Sequence, residues 1–333
     1  ENKTVKLSVI IPVYNVEHYL SACLDSVLPV LEAEDELFLI QGISKDQSKQ
    51  ISLDYQARYS QIKVLEQDGK GLSNARNCGL QVAGGDLVVF IDSDDFVETI
   101  LLQKLLEQLR GLDQLPDIVM TDFSRYYEPS GTRRRIEQIG HRHLEGLDAL
   151  PALLKGHNCF WNVWRNLYRR EFLMEHGLLF LENTYAEDAE YMTRVFLSRP
   201  EVWMVDAPFY YYRVGHGGSL MSSASFSRVK QTAEILQLNI QRLRKANTEW
   251  SLALAGGFQF EYILNLALIQ ELPMEDRKNA VKLFDSYRQV LLPTQDQLVR
   301  KVAIFINFFG VSCTSLVLMA IKWVKRRLEH RTL

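Results

Sequence analysis

Short apolar segments alternate with segments of helical periodicity along the N-terminal third of the chain, and this alternation restricts the fold more than any other feature. A largely apolar run from Val5 is stopped by Pro12, which is typical of a strand buried on both faces. Similar runs follow at 37–40, 62–65 and 87–91, with apolar residues at helical spacing between them. The sequence therefore predicts an α/β fold, with a mostly parallel sheet and helices on both faces.

The pattern changes after the fourth apolar run and the helix that follows it. Mixed strand and helical segments with many aromatic residues reach Tyr212, and from Phe226 the sequence is almost wholly helical. We therefore predict a helical C-terminal region beside the sheet-containing domain. The predicted ranges are 1–220 for the domain, with halves at about 5–115 and 116–220, and 221–333 for the helical region.

Three carboxylates in four residues, Asp92, Asp94 and Asp95, directly follow the apolar run that ends at Ile91. Like charges at a strand end repel one another, and a divalent cation or a polyhydroxylated ligand relieves that repulsion. In an open α/β sheet such a ligand lies in the crevice at the carboxyl ends of the strands. The alternative is an acidic turn that caps the next helix.

Composition and charge exclude some classes of function. The 333 residues are 47% hydrophobic, which is enough for a full core, and the net charge of −3 predicts no nucleic-acid partner. Cys23, Cys78, Cys159 and Cys313 are too far apart in sequence to suggest a metal site, and the N-terminus shows no signal-peptide pattern. We therefore expect reduced thiols and a cytoplasmic main body.

The Arg133-Arg134-Arg135 triplet lies between polar residues. We interpret it as a solvated loop, because a run of like charges is most often exposed to water. The alternative is a binding site for phosphate or a lipid headgroup.

Four motifs in order give the chain a resemblance to a known family. These are Ser8-Val-Ile-Ile-Pro-Val-Tyr-Asn15, Gly71-Leu-Ser-Asn-Ala-Arg-Asn-Cys-Gly79, Asp92-Ser-Asp-Asp95 and Glu187-Asp188. Over residues 5–215 the chain resembles the family 2 glycosyltransferases of GT-A fold. Trp164-Arg-Asn-Leu-Tyr-Arg169 and Tyr210-Tyr-Tyr-Arg213 with Gly218-Ser219 are similar to the branch that builds bacterial capsules and other surface polysaccharides.

The resemblance implies an inverting transfer of a sugar from a nucleoside-diphosphate sugar to an acceptor hydroxyl, with roles for the acidic residues. Asp92 would hold the ribose or the donor sugar, and Asp94, with Asp95, would bind Mg²⁺ or Mn²⁺. Asp188 matches the general base of the family. The alternative for Glu187-Asp188 is an exposed acidic pair at the start of a helix.

Further residues match the nucleotide and sugar site of the family. Tyr14 would stack on the nucleobase, and Arg76 would donate to a base carbonyl or to phosphate. Alternatively, Tyr14 closes the core and Arg76 pairs with a carboxylate. Arg213, His216 and Ser219 resemble part of a lid over the diphosphate. The complete expected set of nucleotide- or sugar-binding residues is Pro12, Tyr14, Asn15, Gln41, Arg76, Asp92, Ser93, Glu187, Arg213 and Ser219.

One position departs from the family pattern. Where many relatives carry Asp-Asp-Gly-Ser, this chain has Gln41-Gly42-Ile43-Ser44. The first Asp of that motif is usually read as accepting a hydrogen bond from uracil. A Gln carbonyl can accept the same bond without charge, so we still expect a UDP-sugar donor and expect Gln41 to contact the base.

The C-terminal tail, 302–333, begins with twenty residues without a charge, Val302 to Ile321, and ends in a basic segment. A helical projection places most of its large apolar residues on one face, which predicts a helix in the membrane interface with its basic end on anionic headgroups. The alternative is a helix packed on the catalytic domain or on a second subunit in a homodimer. The face consists of Val302, Phe305, Ile306, Phe309, Cys313, Leu316, Val317 and Ala320.

Together these observations predict an inverting, metal-dependent glycosyltransferase at the inner face of the cell membrane. It would extend a lipid-linked saccharide in the assembly of a capsule or a similar polysaccharide. The alternatives are a soluble transferase that modifies proteins and a binding module that keeps the nucleotide pocket without turnover. A nucleotidyltransferase would need a basic Gly-rich triphosphate loop, which the early sequence does not show.

Overall fold

The computed structural model describes residues 5–154, 160–215 and 225–329, and the chain forms two compact units. The first unit comprises 1–149, 161–183 and 194–217, and the second comprises 150–160, 184–193 and 218–333. The second unit therefore takes in two segments that precede residue 218.

The first unit contains a ten-stranded sheet flanked by helices. Its strands are β1 Leu7–Val13, β2 Glu36–Gln41, β3 Ile62–Glu66, β4 Leu87–Phe90, β5 Phe96–Val97, β6 Ile118–Tyr127, β7 Thr132–Ile136, β8 Leu144–Glu145, β9 Asn166–Arg169 and β10 Val202–Val214. Its helices are α1 Leu20–Val27, α2 Ser48–Arg58, α3 Gly71–Val82, α4 Thr99–Arg110 and α6 Arg170–Glu175.

The remaining helices lie wholly or partly in the second unit. They are α5 Leu150–Leu153, α7 Glu187–Leu197, α8 Phe226–Ala246, α9 Glu249–Ala267, α10 Met274–Tyr287 and α11 Gln297–Glu329. The predicted α/β fold with a helical C-terminal region is confirmed.

The sheet is mixed, with main order β3-β2-β1-β4-β9-β6-β10-β5. The four strands at 7–13, 36–41, 62–66 and 87–90 run parallel, as the alternating pattern predicts. Beyond them the sheet is mixed, because β9 enters antiparallel between β4 and β6. β6 and β10 are parallel to each other, whereas β5, β7 and β8 pair antiparallel. Antiparallel neighbours need no crossover helix, so they leave no alternating pattern in the sequence.

The predicted loop at the arginine triplet is in fact strand β7, paired antiparallel with β6. Arg133 donates to the hydroxyl of Tyr211, and Arg135 forms ion pairs with Asp122 and Asp206. The carboxylates that make this strand stable lie on other strands, so the local sequence could not reveal them.

Helix α3 lies unusually close to the central strand β1. A Cβ atom built on Gly79 would be 2.4 Å from Cγ2 of Ile10, whereas one built on Gly84 would come no closer than 3.5 Å to a carboxylate oxygen of Glu36. A glycine is therefore required at 79 for the backbone of α3 to approach β1, and the motif Gly71–Gly79 ends at this contact.

We expect Gly79→Ala to destabilise the protein by about 1–3 kcal/mol, the usual cost of overpacking a filled core. Chemical unfolding would measure the change in the free energy of unfolding. Gly84→Ala serves as the control, since its Cβ meets only ordinary van der Waals contact. Equal stability of the two variants would contradict the packing argument.

Helix α11 of the second unit is broken at Gly310, which has φ 75° and ψ 168°. Val302 and Ile306 before the break are buried, whereas Phe308 and Phe309 are 80% and 61% exposed. The expected single apolar face is therefore divided: Val302 and Ile306 pack into the second unit, whereas Phe309, Leu316 and Val317 are exposed. Beyond the break, Val311, Thr314 and Ser315 are the buried residues.

Two helical segments of the described chain are long and apolar enough to cross a membrane by length and composition alone. The segment Glu249–Glu271 is mostly buried, as the core helix of a soluble unit would be, whereas Gln297–Trp323 is mostly exposed.

Candidate active site

The acidic cluster follows strand β4, as predicted, and its first member is held by a buried arginine. Nη2 of Arg76 lies 2.9 Å from Oδ1 of Asp92, and the Arg76 side chain is 1% exposed. The ring of Phe180 lies 5.2 Å from the Arg76 guanidinium carbon. Of the two roles expected for Arg76, the structure shows the pairing with a carboxylate. This pairing fixes Asp92 at the carboxyl end of the strand.

Asp95 is the buried member of the cluster. Its Oδ2 accepts a hydrogen bond from the hydroxyl of Tyr210 at 2.7 Å, and its Oδ1 accepts from the backbone N–H of Arg213 at 2.7 Å. Burial, followed by the negative charges of Asp94 and Asp92, raises the pKa of the Asp95 carboxyl well above its usual range. Both oxygens thus accept hydrogen bonds within the protein interior.

Arg213 lies near the end of β10 and contacts the acidic cluster through its side chain and its backbone. Its Nε donates to the main-chain carbonyl of Asp94 at 2.8 Å, and its Nη1 forms an ion pair with Glu128. Its guanidinium lies about 5 Å from the rings of Tyr19 and Phe96. Arg213 is therefore a strand residue in a fixed position rather than part of a lid.

The remaining expected site residues of this region are Ser93 and Asp94 in the cluster and His216 and Ser219 in the lid. Asp94 is half-buried, and Ser93 is buried. His216 and Ser219, which were expected in the lid, lie outside the described residues.

Two loops meet at the carboxyl ends of β1 and β2. The backbone N–H of Asn15 donates to Oγ of Ser44, and the side-chain oxygen of Asn15 accepts from the N–H of Lys45. Asn15 has φ 52°, a left-handed conformation that Asn tolerates better than most residues. Asn15 thus joins the two loops, so the geometry gives it a structural role.

Tyr14 and Pro12 are placed differently. Tyr14 is 55% exposed, so its ring does not close the core, whereas Pro12 is buried within β1. Gly42 follows the second strand, where a Cβ would come within 3.2 Å of the Tyr14 ring. The exposed ring thus lies directly after the carboxyl end of β1.

Gln41, the last residue of β2, carries an unusual buried oxygen. Its Nε2 donates to Oγ of Ser52 at 2.6 Å, while its Oε1 is buried with no hydrogen-bond partner among the described residues. Leaving a buried acceptor unsatisfied costs free energy, and such groups in native proteins usually need an explanation. A ligand donor at the carboxyl end of β2 would supply the missing bond.

Glu187 and Asp188 lie in the first turn of α7, in the second unit, and both are half-buried. This first turn is anchored within that unit, because Glu190 is buried and pairs with Arg242 of α8 at 2.9 Å. Nδ2 of Asn239 donates to the carbonyl of Ala189 at 3.0 Å. The helix that carries Asp188 thus begins in a fixed position.

Two residues that support the acidic cluster, Tyr210 and Glu128, have roles that the local sequence does not predict. The aromatic run Tyr210–Tyr212 was the one signal that could have identified Tyr210. Glu128 contacts Arg213 across 85 positions, which no local pattern reveals.

No group of three or more His, Cys, Asp or Glu side chains in the described part of the chain is arranged to hold a metal ion. Mg²⁺ and similar cations are commonly held by one or two carboxylates together with substrate phosphates. The pair Asp92 and Asp94 fits that smaller requirement, with Asp92 already oriented by Arg76.

Comparisons with known proteins agree with this geometry. The family model described as glycosyl transferase family 2 matches residues 8–177. The Bacillus subtilis protein named uncharacterized glycosyltransferase EpsJ is 36% identical over 62% of this chain and 60% of its own length. This chain therefore aligns with less than two thirds of that relative.

Two further relatives align over most of this chain. The Borreliella burgdorferi protein named cholesterol galactosyltransferase is 26% identical over 88% of this chain and 83% of its own length. The crystal structure of Staphylococcus aureus TarS 1–349 in complex with UDP-GlcNAc has a TM-score of 0.73 at 19% identity, covering 95% of this chain and 90% of that one. The TarS likeness shows a shared fold. With the family model matched over half of its length, the chain belongs to glycosyl transferase family 2.

Proposed function

We propose that this protein is an inverting glycosyltransferase that moves a sugar from a UDP-sugar to a hydroxyl of a lipid-linked saccharide, in the assembly of a bacterial surface polysaccharide. The acidic cluster carries the proposal, because Asp92 and Asp94 follow β4 where ligands of open α/β sheets bind. Family membership and the UDP-GlcNAc complex of TarS support a nucleotide-sugar donor.

In the proposed transfer, the carboxylate of Asp188 accepts the proton of the acceptor hydroxyl while that oxygen bonds to the anomeric carbon. The bond from that carbon to the diphosphate breaks in the same displacement, which inverts the configuration. Asp92 and Asp94 would hold Mg²⁺ or Mn²⁺ with the diphosphate oxygens. A bound cation would neutralise the charge that develops on the leaving diphosphate.

Thermal unfolding with a panel of nucleotide sugars, with and without Mn²⁺, tests this proposal. A ligand that binds the folded state alone raises its stability by mass action. We expect a UDP-sugar with Mn²⁺ to raise the melting temperature most. If no nucleotide sugar stabilises the protein, the proposed function is wrong.

The nucleobase site is proposed at Tyr14 and Gln41, where the uracil imide would donate to the unsatisfied Oε1. We expect Gln41→Ala to weaken UDP binding by about 0.5–1.5 kcal/mol, the net value of one neutral hydrogen bond. Calorimetric titration with UDP would measure it. Gln47→Ala is the control, because Gln47 is an exposed residue before α2. Unchanged affinity in Gln41→Ala would remove this residue from the base site.

We also propose that α11 binds the membrane surface on the cytoplasmic side. Thr314 and Ser315 are buried, and Nε2 of Gln270 donates to Oγ of Ser315 at 2.6 Å. Large apolar residues of the same helix are exposed instead. A surface helix of a water-soluble protein normally buries its apolar side chains and exposes its polar ones. The exposed residues are Phe308, Phe309, Leu316, Val317, Ile321 and Trp323.

The basic residues at the end of α11 favour lipid as the partner that contacts this apolar surface. The last turns of α11 carry Lys325, Arg326 and Arg327, and basic residues near a surface of anionic lipid each contribute about 1 kcal/mol. The name of the Borreliella burgdorferi relative specifies a lipid, cholesterol, which supports a substrate at a membrane.

Sedimentation with vesicles containing phosphatidylglycerol tests this second proposal. We expect Phe308→Ser/Phe309→Ser to lose most vesicle binding, whereas Met274→Ser, with its side chain 78% exposed on another helix, should keep it. Failure of the unaltered protein to bind these vesicles would show that protein covers the surface instead.

A further inference from the structure

Strand β7 separates its three arginines between the two faces of the sheet, since successive side chains of a strand point to opposite sides. On one face, Arg133 lies 4.0 Å from a carboxylate oxygen of Glu98, and Arg135 pairs with Asp122 and Asp206. Those two charges are thus balanced by nearby acids. Arg134 occupies the other face.

Arg134 lies directly opposite another arginine, Arg125 of β6, in the antiparallel ladder. The Cβ atoms of such partners are typically ~4.5–5.5 Å apart, and like charges at this separation destabilise a sheet. Both side chains are exposed, and neither has an ion-pair or hydrogen-bond partner among the residues that the structure describes. Arrangements that lower stability are expected at functional sites.

The arginine pair lies near the acidic cluster. Tyr212 of β10 is the register partner of Arg125, and the Tyr212 ring stacks on Trp164 with 5.6 Å between centroids and 4° between planes. Burial and then the charges of the acidic cluster raise the pKa of the Tyr212 hydroxyl, while Arg125 lowers it. Arg213, the residue after Tyr212, donates from its Nε to the main-chain carbonyl of Asp94 at 2.8 Å. The pair therefore lies at the end of the sheet where transfer is proposed.

We propose that Arg125 and Arg134 bind a phosphate group of the acceptor, so that the acceptor is a phosphate-bearing saccharide or polyol chain. Two guanidinium groups supply planar pairs of N–H donors that match phosphate oxygens, and a bound phosphate removes the repulsion between them. The half-buried ring of Tyr212, the register partner of Arg125, offers an apolar surface for a sugar or polyol. This inference rests on the proposed function.

Direct binding of an oligo(glycerol phosphate) to the full chain tests the inference. We expect Arg125→Gln/Arg134→Gln to bind it about 10- to 100-fold more weakly than the unaltered protein does. The control Arg133→Gln/Lys104→Gln loses the same charge, with one change on the opposite face of β7 and one at an exposed position of α4, and should bind it normally. Equal loss in both double variants, or no loss in either, would overturn the inference.

Two further measurements separate this site from its alternatives. If the arginines serve only the fold, Arg125→Gln/Arg134→Gln will melt at a lower temperature; we expect an equal or higher one because repulsion is removed. If the variant loses binding to phosphatidylglycerol vesicles while it keeps the oligomer, the site recognises a lipid headgroup and the acceptor inference is wrong.

UDP binding is measured in parallel on the same proteins, and we expect it to be unchanged in both double variants. Absence of UDP binding in the unaltered protein would count against the proposed function, whereas phosphate binding through the arginines would still be detected.

Discussion

Asp94→Ala is expected to abolish the cation-dependent part of donor binding. Within the cluster, Asp92 is oriented by Arg76, and Asp95 is buried with both oxygens engaged by Tyr210 and Arg213. Asp94 is one of the two half-buried carboxylates that we propose hold the cation, the other being Asp92. Calorimetric titration of UDP with and without Mn²⁺ would measure the effect.

Asp113→Ala provides the control for this variant, because Asp113 is an exposed carboxylate of the same unit outside the cluster. It should keep both UDP affinity and the gain in affinity from Mn²⁺. If Asp94→Ala also keeps that gain, the cation is held elsewhere and the assignment of the cluster is wrong.

Asp188→Asn is expected to leave donor affinity unchanged while the rate of transfer falls by ~10²- to 10⁴-fold. The amide keeps the shape of the carboxylate but cannot accept the proton of the acceptor hydroxyl. Donor affinity from UDP-sugar titration, together with kcat for transfer, would separate binding from chemistry.

A comparison with Glu190→Gln distinguishes chemistry from folding in the same helix. Glu190 is buried against Arg242, so its substitution should lower the melting temperature. Asp188→Asn should leave the melting temperature unchanged. Turnover close to normal in Asp188→Asn would exclude Asp188 as the base.

The parallel half of the sheet was predictable because its strands are buried on both faces. Strands with that burial read as continuous apolar runs, and all seven residues of β1 are buried. Strand β9 gave no such signal, since it is short and contains Asn166 and Arg169. Strand β7 carries three arginines, and its stability depends on acids that are distant in sequence.

The active site, like the sheet, was only partly predictable from the sequence. The acidic cluster was visible because its three carboxylates are adjacent in sequence. The burial of Asp95 was not, because Tyr210 and Arg213 approach it from more than 100 positions away. The unsatisfied oxygen of Gln41 likewise depends on how α2 packs behind β2, through Ser52. The types of residue in the site were thus predictable from the sequence. The burial of Asp95 and the hydrogen bonds of Asp95 and Gln41 could be known only from the folded structure.

The packing of α11 has a practical consequence for handling this protein in water. Cutting the chain before α11 would remove Val299, Val302 and Ile306, which are buried in the second unit, so a truncated protein would expose a new apolar core surface. Val311, Thr314 and Ser315, which lie beyond Phe308, are buried as well. The outward surface that begins at Phe308 therefore cannot be removed without damage to the second unit. In dilute buffer we expect the whole protein to self-associate as its concentration rises, and to disperse again when a mild detergent coats that surface.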